Sequence, residues 1–556
     1  MTVEEGHGLQ PPTVGVATLD ALDASGNLYE QAVTSLFPAD TLCSQPIRLD
    51  SLTATDSVVL SFYYLPGGGQ GNLWERVGDS PDVTDTLFLD FYRATDSNWV
   101  TVWFRKGVTV DSLVASTGRD WQYVEVTISD SAFFDSAFRF RFRNLCSLPV
   151  TAKPGLAGNC DYWHLDYVYL DRGRDTMSQP VFRDVAFVNA APSMLSAYRA
   201  MPAHQYRTTD MAESLSMVMT NLYNSDLATQ YTYAVVDAQG DTLHVYDGGY
   251  ENAPAFLPEG HYQTAQTHAT PPVEYAFPES ATPTTYTVVH TVREGVAGDQ
   301  HTCNDTVRYR QVFDNYYAYD DGTAENGYGL TSTASHLYLA YRFDLNERDT
   351  LTALDLYFNR TANGDNELVP FRLMVWAESD GRPGSVLYTD EHLRHPEFEG
   401  LNRYHRYVLE SPVVVTGRVF VGFVQDNNYY INLGFDRSLN TSSRIYYHTG
   451  TDWQRSILSG SLMMRPCFGA SATVGIEERS AGSGTWSVYP NPASERVMVE
   501  GLPEGSLMML YDMTGRLVST TRSRQMAVSG LANGVYILRC VAPEGSVSMR
   551  KVIIKH

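Results

Sequence analysis

Alternation is the feature that most narrows the fold. In "FRFRFRN", Phe138, Phe140 and Phe142 fall on one side of an extended chain, and Arg139, Arg141 and Arg143 fall on the other. A period of two gives a strand two distinct faces, and a helix cannot present it as one apolar stripe. The stretch therefore predicts a half-buried antiparallel strand with a solvated face. The same reading holds at 57–65, 86–94, 99–104, 121–128 and 163–170, all rich in β-branched or aromatic residues and separated by turn formers. So many short strands with no helix between them predict a two-sheet sandwich of jelly-roll type over 14–173.

Three further blocks follow. Over 178–312, "LSMVMTNLY", "TYAVVDAQGD", "YTVVHTVREG" and "DTVRYRQVF" predict an immunoglobulin-like sandwich, with "SMLSAYRAM" as one short helix. Over 313–472, "LTALDLYF", "FRLMVWA", "RYVLESPVVV" and "RVFVGFVQD" predict a second jelly-roll-like domain. Residues 474–486 are small, charged and aperiodic, the composition of a linker. Residues 487–556 hold strands around a Met513-Thr514-Gly515 hairpin turn, a minimal sandwich. The expected fold class is all-β and multidomain, with jelly-roll and immunoglobulin-like β-sandwiches in series behind a polar tail at 1–13.

Length and charge set limits on function. A chain of 556 residues exceeds what one core can organise. A net charge of −24 disfavours nucleic acid and anionic membrane surfaces, which call for lysine and arginine. No apolar run has the length of a bilayer span, so no transmembrane segment is expected. The opening "MTVEEGHGLQPPTVG" lacks the charged-then-apolar order of a leader. The six cysteines form no CxxC pair. Cys146 and Cys160 bracket a loop and are either bridged or free, whereas Cys303, Cys467 and Cys540 are expected as buried thiols.

The end of the chain is more specific. "YPNPASERV", "LYDMTGRLV", "LANGVYILR" and "RKVIIKH" occur in that order. Together they resemble the type A C-terminal sorting domain of the type IX secretion system of Bacteroidetes, through Tyr489, Pro490, Asn491, Pro492, Tyr511, Asp512, Gly515, Leu531, Gly534, Tyr536 and Lys551 to Lys555. In physical terms Pro490 and Pro492 fix φ and remove two donors, which suits the start of an edge strand. Gly515 and Gly534 suit turns. The last strand, with Lys551 and Lys555, is the part a translocon would read. The alternative for these lysines is a solvated edge that deters aggregation. The resemblance implies a leader already trimmed and export across the outer membrane. It further implies a sortase-like peptidase cutting within 474–486, and attachment to the cell surface. "VATLDALDASGN" and "NCDYWHLDYVYLD" resemble MAM-like jelly rolls of exported proteins. Asp-Ser/Thr-apolar triplets such as Asp85-Thr86-Leu87 and Asp241-Thr242-Leu243 resemble an O-glycosylation sequon.

Candidate sites are few. Asp166 shares parity with Val168 and Leu170, which places a carboxylate among apolar neighbours where it needs a partner. In the jelly rolls it resembles, that partner is a structural Ca2+, with Asp20 and Asp23 as companion ligands. An arginine is the other reading. Asp320, Asp321 and Glu325 in "YDDGTAENG" suit Ca2+ or a plain acidic turn, and they lack EF-hand spacing. His392, His395, Glu397, Glu399 and His405 lack HExxH, and Pro396 interrupts them, so a solvated loop is expected. Tyr429 and Tyr430, beside Asn427 and Asn428, offer rings and amides to a sugar, with core packing as the alternative. No nucleophile elbow or cysteine-peptidase signature is present. The expected function is a non-catalytic, exported adhesin or glycan- or protein-binding surface protein. A secreted glycosidase or peptidase with an unrecognised catalytic domain is the alternative, as is a structural surface-layer or motility component.

Overall fold

A computed structural model describes residues 2–4, 11–67, 80–148, 162–174, 182–255, 266–268, 270–295, 298–299, 301–360, 365–469, 487–491, 493–501, 505–512, 517–541 and 547–555. The fold is all-β, and the chain divides into two compact units, Met1–Ser471 and Ala472–His556. No helix among the described residues is long and apolar enough to cross a membrane. Pro492, Gly515, Cys160 and the linker 474–486 lie outside the described residues.

The first block contains β1 (Thr2–Glu4), β2 (Val16–Leu19), β3 (Phe37–Cys43), β4 (Val59–Pro66), β5 (Thr86–Arg93) and β6 (Asn98–Lys106). After helix α1 (Val110–Thr117) come β7 (Gln122–Thr127), β8 (Phe140–Cys146) and β9 (Trp163–Asp171). Sheets β1-β2-β9-β4-β7 and β3-β8-β5-β6 face each other across Leu60, Phe62, Leu89, Phe142 and Trp163. Every residue of β4 is buried, because its second face is covered too: Tyr63 and Leu65 pack with Phe182 and Leu222 of the next block. Helix α1 was not expected. Its signals are the Thr109 cap, whose Oγ1 accepts from Ser112 N, and Gly118, whose φ of 75° ends it.

The arginine face of "FRFRFRN" is clad rather than merely wetted. Asp90 is buried and accepts from Arg141 Nε at 2.9 Å and Arg143 Nε at 2.7 Å. The guanidinium groups of Arg139, Arg141 and Arg143 lie over Tyr92, Trp99 and Phe88 at 4.3, 4.4 and 4.0 Å.

The second block holds β10 (Val185–Phe187), β11 (Ala200–Pro202), β12 (Met217–Asn221), β13 (Leu227–Val236), β14 (Thr242–Ala253), β15 (Gln266–His268), β16 (Thr284–Glu294) and β17 (Thr306–Asp314). They form sheets β10-β12-β15 and β11-β17-β16-β13-β14, with β11 and β17 parallel. "SMLSAYRAM" is not a helix. Its backbone bonds non-locally, Ser196 N to Asp210 O and Arg199 N to Ala318 O, and this delivers Tyr198 into the core.

The third block runs through β18 (Asn326–Tyr328), β19 (Leu337–Asp344), β20 (Asp349–Leu356), β21 (Phe371–Ser379), β22 (Arg382–Thr389) and β23 (His405–Val415). It ends with β24 (Arg418–Gln425), β25 (Leu433–Asp436), β26 (Ile445–His448), β27 (Gln454–Arg455), β28 (Ser461–Leu462) and β29 (Met464–Phe468). Its sheets are β18-β25-β28, β22-β21-β24-β19-β26-β27 and β23-β20-β29. One apolar core continues through the second and third blocks. Tyr198 stacks on Tyr319 at 4.7 Å, and Tyr319 stacks on Phe343 at 5.0 Å.

The C-terminal unit contains β30 (Ser487–Tyr489), β31 (Arg496–Glu500), β32 (Leu507–Asp512), β33 (Leu517–Thr521), β34 (Gln525–Ala527), β35 (Gly534–Val541) and β36 (Val547–Ile554). Sheets β30-β31-β34 and β33-β32-β35-β36 enclose Val497, Val499, Leu510, Tyr536, Leu538 and Val552.

The shared core makes a specific demand on Tyr198. Tyr198→Ala is expected to cost about 3–5 kcal/mol, the range for an aromatic truncated in a core. Chemical denaturation followed by circular dichroism should show an earlier midpoint than that of the parent.

Candidate functional site

In the C-terminal unit, the motif at 489–493 closes the edge of the last strand. Asn491 Oδ1 accepts from Ile553 N at 2.8 Å, Ala493 N donates to Ile553 O at 2.8 Å, and Lys555 N donates to Ala493 O at 2.9 Å. The end of β36 is therefore paired on both sides, by β35 and by this short segment. Lys555 projects to solvent, and Lys551 pairs with Ile537 in the backbone ladder. Pro490 follows β30 instead of starting it, after a cis Tyr489–Pro490 bond. Gly534 is the first residue of β35, opposite Ile554, and does not occupy a turn. Tyr536 is in the core, with its hydroxyl donating to Ala532 O at 2.8 Å.

The acidic residues of the first block do not converge on one ion. Asp166 accepts from Thr13 N at 2.7 Å, Thr13 Oγ1 at 2.9 Å and Tyr167 N at 2.6 Å. Asp20 accepts from Leu22 N, while its own amide donates to Asp40. Asp23 closes its own turn by accepting from Ser25 N and Asn27 N. The parity argument for Asp166 fails at Tyr167, where the ladder shifts register and φ is 48°. That kink leaves Asp166 buried, turns Val168 outward and aims the Tyr167 hydroxyl at Asp184 Oδ2, 2.6 Å away. Burial pushes the Asp166 carboxyl up to about 7.

Asp320, Asp321 and Glu325 gather around β25 but are engaged by protein groups. Asp320 takes a bidentate pair from Arg465 and a bond from the Tyr404 hydroxyl. Asp321 accepts from Thr323 N and Ser438 Oγ, and Glu325 accepts from Arg437 N at 2.7 Å. Asp436, buried behind them, is held above the usual carboxylate range by desolvation and by Asp321. Tyr430 is 6% exposed and donates to Gly327 O, so it belongs to the core. Tyr429 is 64% exposed, on a turn closed by Asn427 Oδ1, with Asn428 beside it in solvent. Tyr317 and Tyr319 are fully buried. His392 and His405 pair with Glu410 and Glu399 in separate surface contacts. Thr242 is exposed in its triplet, whereas Thr86 is buried.

A cleft of about 480 Å³ between the second and third blocks is what the sequence reading missed. Arg199, Arg308, Arg310 and Arg465 line it with Tyr309, Tyr316, Asp320 and Asp321. On β17 the alternation "TVRYRQVFD" sends Val307, Gln311 and Phe313 inward and Arg308 and Arg310 outward. That spacing was the available signal. Arg465 is neutralised by Asp320, while the buried Arg199 Nε has no hydrogen-bond partner. The Tyr309 hydroxyl fixes the wall by donating to Arg199 O at 2.9 Å.

Residues 487–555 match the family model described as a secretion system C-terminal sorting domain. The chain thus carries an export tail and is a secreted or cell-surface protein. The match leaves the first block outside it. No curated protein matches the chain. Solved structures that overlap it include a β-glucuronidase of Bacteroides uniformis, at 11% identity, 53% of this chain, 29% of that chain and a TM-score of 0.20. A β-glucuronidase of Parabacteroides merdae overlaps at 15% identity, 55% of this chain, 30% of that chain and 0.21. A putative β-galactosidase of Bacteroides fragilis does so at 10%, 59%, 38% and 0.19. The overlap spans well under half of each of those chains, and at such scores it assigns neither fold nor activity.

Two measurements follow from these contacts. Asn491→Ala removes the acceptor for Ile553 N, and the lost bond is worth about 1 kcal/mol. Amide exchange at Ile553 and Lys555 in the full chain should speed up several-fold, while the β31 amides stay unchanged. Asp166 ionises near pH 7 when folded and near 4 when unfolded, so its contribution is present at low pH and lost as pH rises through about 7. Asp166→Asn should remove that part of the decline between pH 4 and 7, as read by melting curves of variant and parent.

Proposed function

We propose that this exported protein is a non-catalytic surface binding protein, and that the cleft between its second and third sandwiches holds an anionic saccharide bearing carboxylate or sulfate groups. The observation that carries this reading is the unpaired, buried Arg199 Nε beside Arg308 and Arg310 in a concave site. Four arginines against two aspartates make the cleft locally positive in a chain of net charge −24. Arginine suits planar anions because its fork can bond two oxygens at once. Tyr316 adds a ring to the lining, and the volume of the cleft falls in the range of small-ligand sites. Among the described residues, both carboxylates lining the cleft already bond protein groups, Asp320 with Arg465 and Asp321 with Thr323 and Ser438. A translocon and a sortase-like peptidase are the partners of its export, and the ligand meets the folded surface afterwards.

The test is binding of the full chain to matched neutral and uronic or sulfated polysaccharides. Saturable, salt-sensitive binding to the acidic set is expected. The double variant Arg308→Ala/Arg310→Ala should weaken it about tenfold or more, from charged hydrogen bonds of about 1.5–3 kcal/mol each. Tyr429→Ala, away from the cleft, should not change it. Equal binding to neutral polymers, or indifference to the double variant, would sink the reading.

A further inference from the structure

A second cluster sits where the first block meets the second. Asp184 immediately precedes β10, and Asp299, Asn304 and Asp305 lie between β16 and β17. One carboxylate oxygen from each of Asp184, Asp299 and Asp305 lies within 4.8 Å of the others. Asp184 is fully buried, and Asn304 and Asp305 are more than nine-tenths buried. Three of their oxygens accept hydrogen bonds. Asp184 Oδ2 accepts from Tyr167 OH at 2.6 Å and from Asn304 Nδ2 at 3.0 Å, while Asp299 Oδ2 accepts from Val185 N at 3.1 Å and Asp299 Oδ1 from His301 N at 2.8 Å. Three more do not: Asp184 Oδ1, Asn304 Oδ1 and Asp305 Oδ1 are buried with no donor.

Buried acceptors without donors are costly, and buried carboxylates side by side are costlier still. The nearby Arg183 is engaged by Glu294 and gives these oxygens no hydrogen bond. An adjoining cavity, reaching Asp299 and Asp305 past Thr302 and Gly298, gives solvent a route in. We propose that Asp184, Asp299 and Asp305, with the amide oxygen of Asn304, form a Ca2+ site that clamps the first sandwich to the second. Three carboxylates and a neutral amide are hard oxygen donors. Oxygens within 4.8 Å of each other fit around an ion whose bonds are about 2.3–2.6 Å long. Mg2+ dehydrates reluctantly and needs a stricter octahedron, so a buried, irregular set favours Ca2+. Burial and the neighbouring carboxylates push the Asp184 carboxyl up to about 6 and that of Asp305 up to about 7, the latter against the opposing pull of Arg293. The site is distinct from Asp20, Asp23 and Asp166 and from the cluster at Asp320. It joins three segments: Tyr167 of β9, the entry to β10, and the loop before β17.

The experiment uses the full chain freed of metal by chelation. Ca2+ is titrated by calorimetry, and Tb3+ by luminescence excited through tyrosine, since Tyr167 touches Asp184. One strong Ca2+ site and a melting temperature raised by Ca2+ more than by Mg2+ are expected. Asp305→Asn should weaken binding tenfold or more. It should also match or exceed the parent's melting temperature in chelator, because it removes one repelling charge. Asp299→Asn, at the more accessible ligand, reads the same loss if Asp305→Asn does not fold. A parent whose melting ignores millimolar Ca2+, or full-strength binding in both variants, would overturn the proposal.

Discussion

The large unit depends on the stack of Tyr198, Tyr319 and Phe343. Tyr198 comes from the second block, Phe343 from the third, and Tyr319 from the segment that joins them. Tyr198 also exchanges hydrogen bonds with the Asp344 backbone, donating to its oxygen at 3.0 Å and accepting from its nitrogen at 2.9 Å. Gln205 Oε1 adds a polar pin, accepting from Asn346 N and Glu347 N at 3.0 Å and from the Tyr317 hydroxyl. The connector itself is sandwiched: Ala318 N bonds Ala200 O on one side, and Tyr317 N bonds Pro466 O on the other. Rings that bury large areas and satisfy their hydroxyls fix orientation as well as adding stability. A firm junction of this kind is what keeps Arg199 and Arg308 facing Arg465 across one cleft.

The junctions also show two ways of burying charge. Asp90 and Asp320 are neutralised within the protein, Asp90 by Arg141 and Arg143 and Asp320 by Arg465 alone, and all three guanidinium groups lie over aromatic rings. Such pairs offset their desolvation and leave nothing to recruit. Asp184 and Asp305 lie at a comparable depth without an arginine bonded to them. The difference separates closed structural pairs from open sites, and it could not be judged from acidic composition, since Asp320 and Asp321 stood out in sequence more than Asp299.

Much of the architecture was legible because sheets write themselves into sequence with a period of two. "TLFLDFYRA" and "FRFRFRN" appear as β5 and β8, paired with each other. The sorting tail was legible for a different reason: its motifs are local, and Asn491 needs only a strand sixty residues on to be useful. The errors have local causes of their own. The kink at Tyr167 broke a parity count, non-local bonding unmade a helix around Tyr198, and Tyr430 turned inward where Tyr429 turned outward.

The sequence by itself determined the strand pattern, the acidic surface and the export tail, because each is set by residues near one another in the chain. Only the tertiary structure decided which polar groups meet. Arg199 lies more than a hundred residues from Arg308, and Asp184 more than a hundred from Asp299. Pairing between distant loops is fixed by how sandwiches dock. A one-dimensional pattern carries no distance between such residues, so the cleft and the cation site appear only once the blocks are packed.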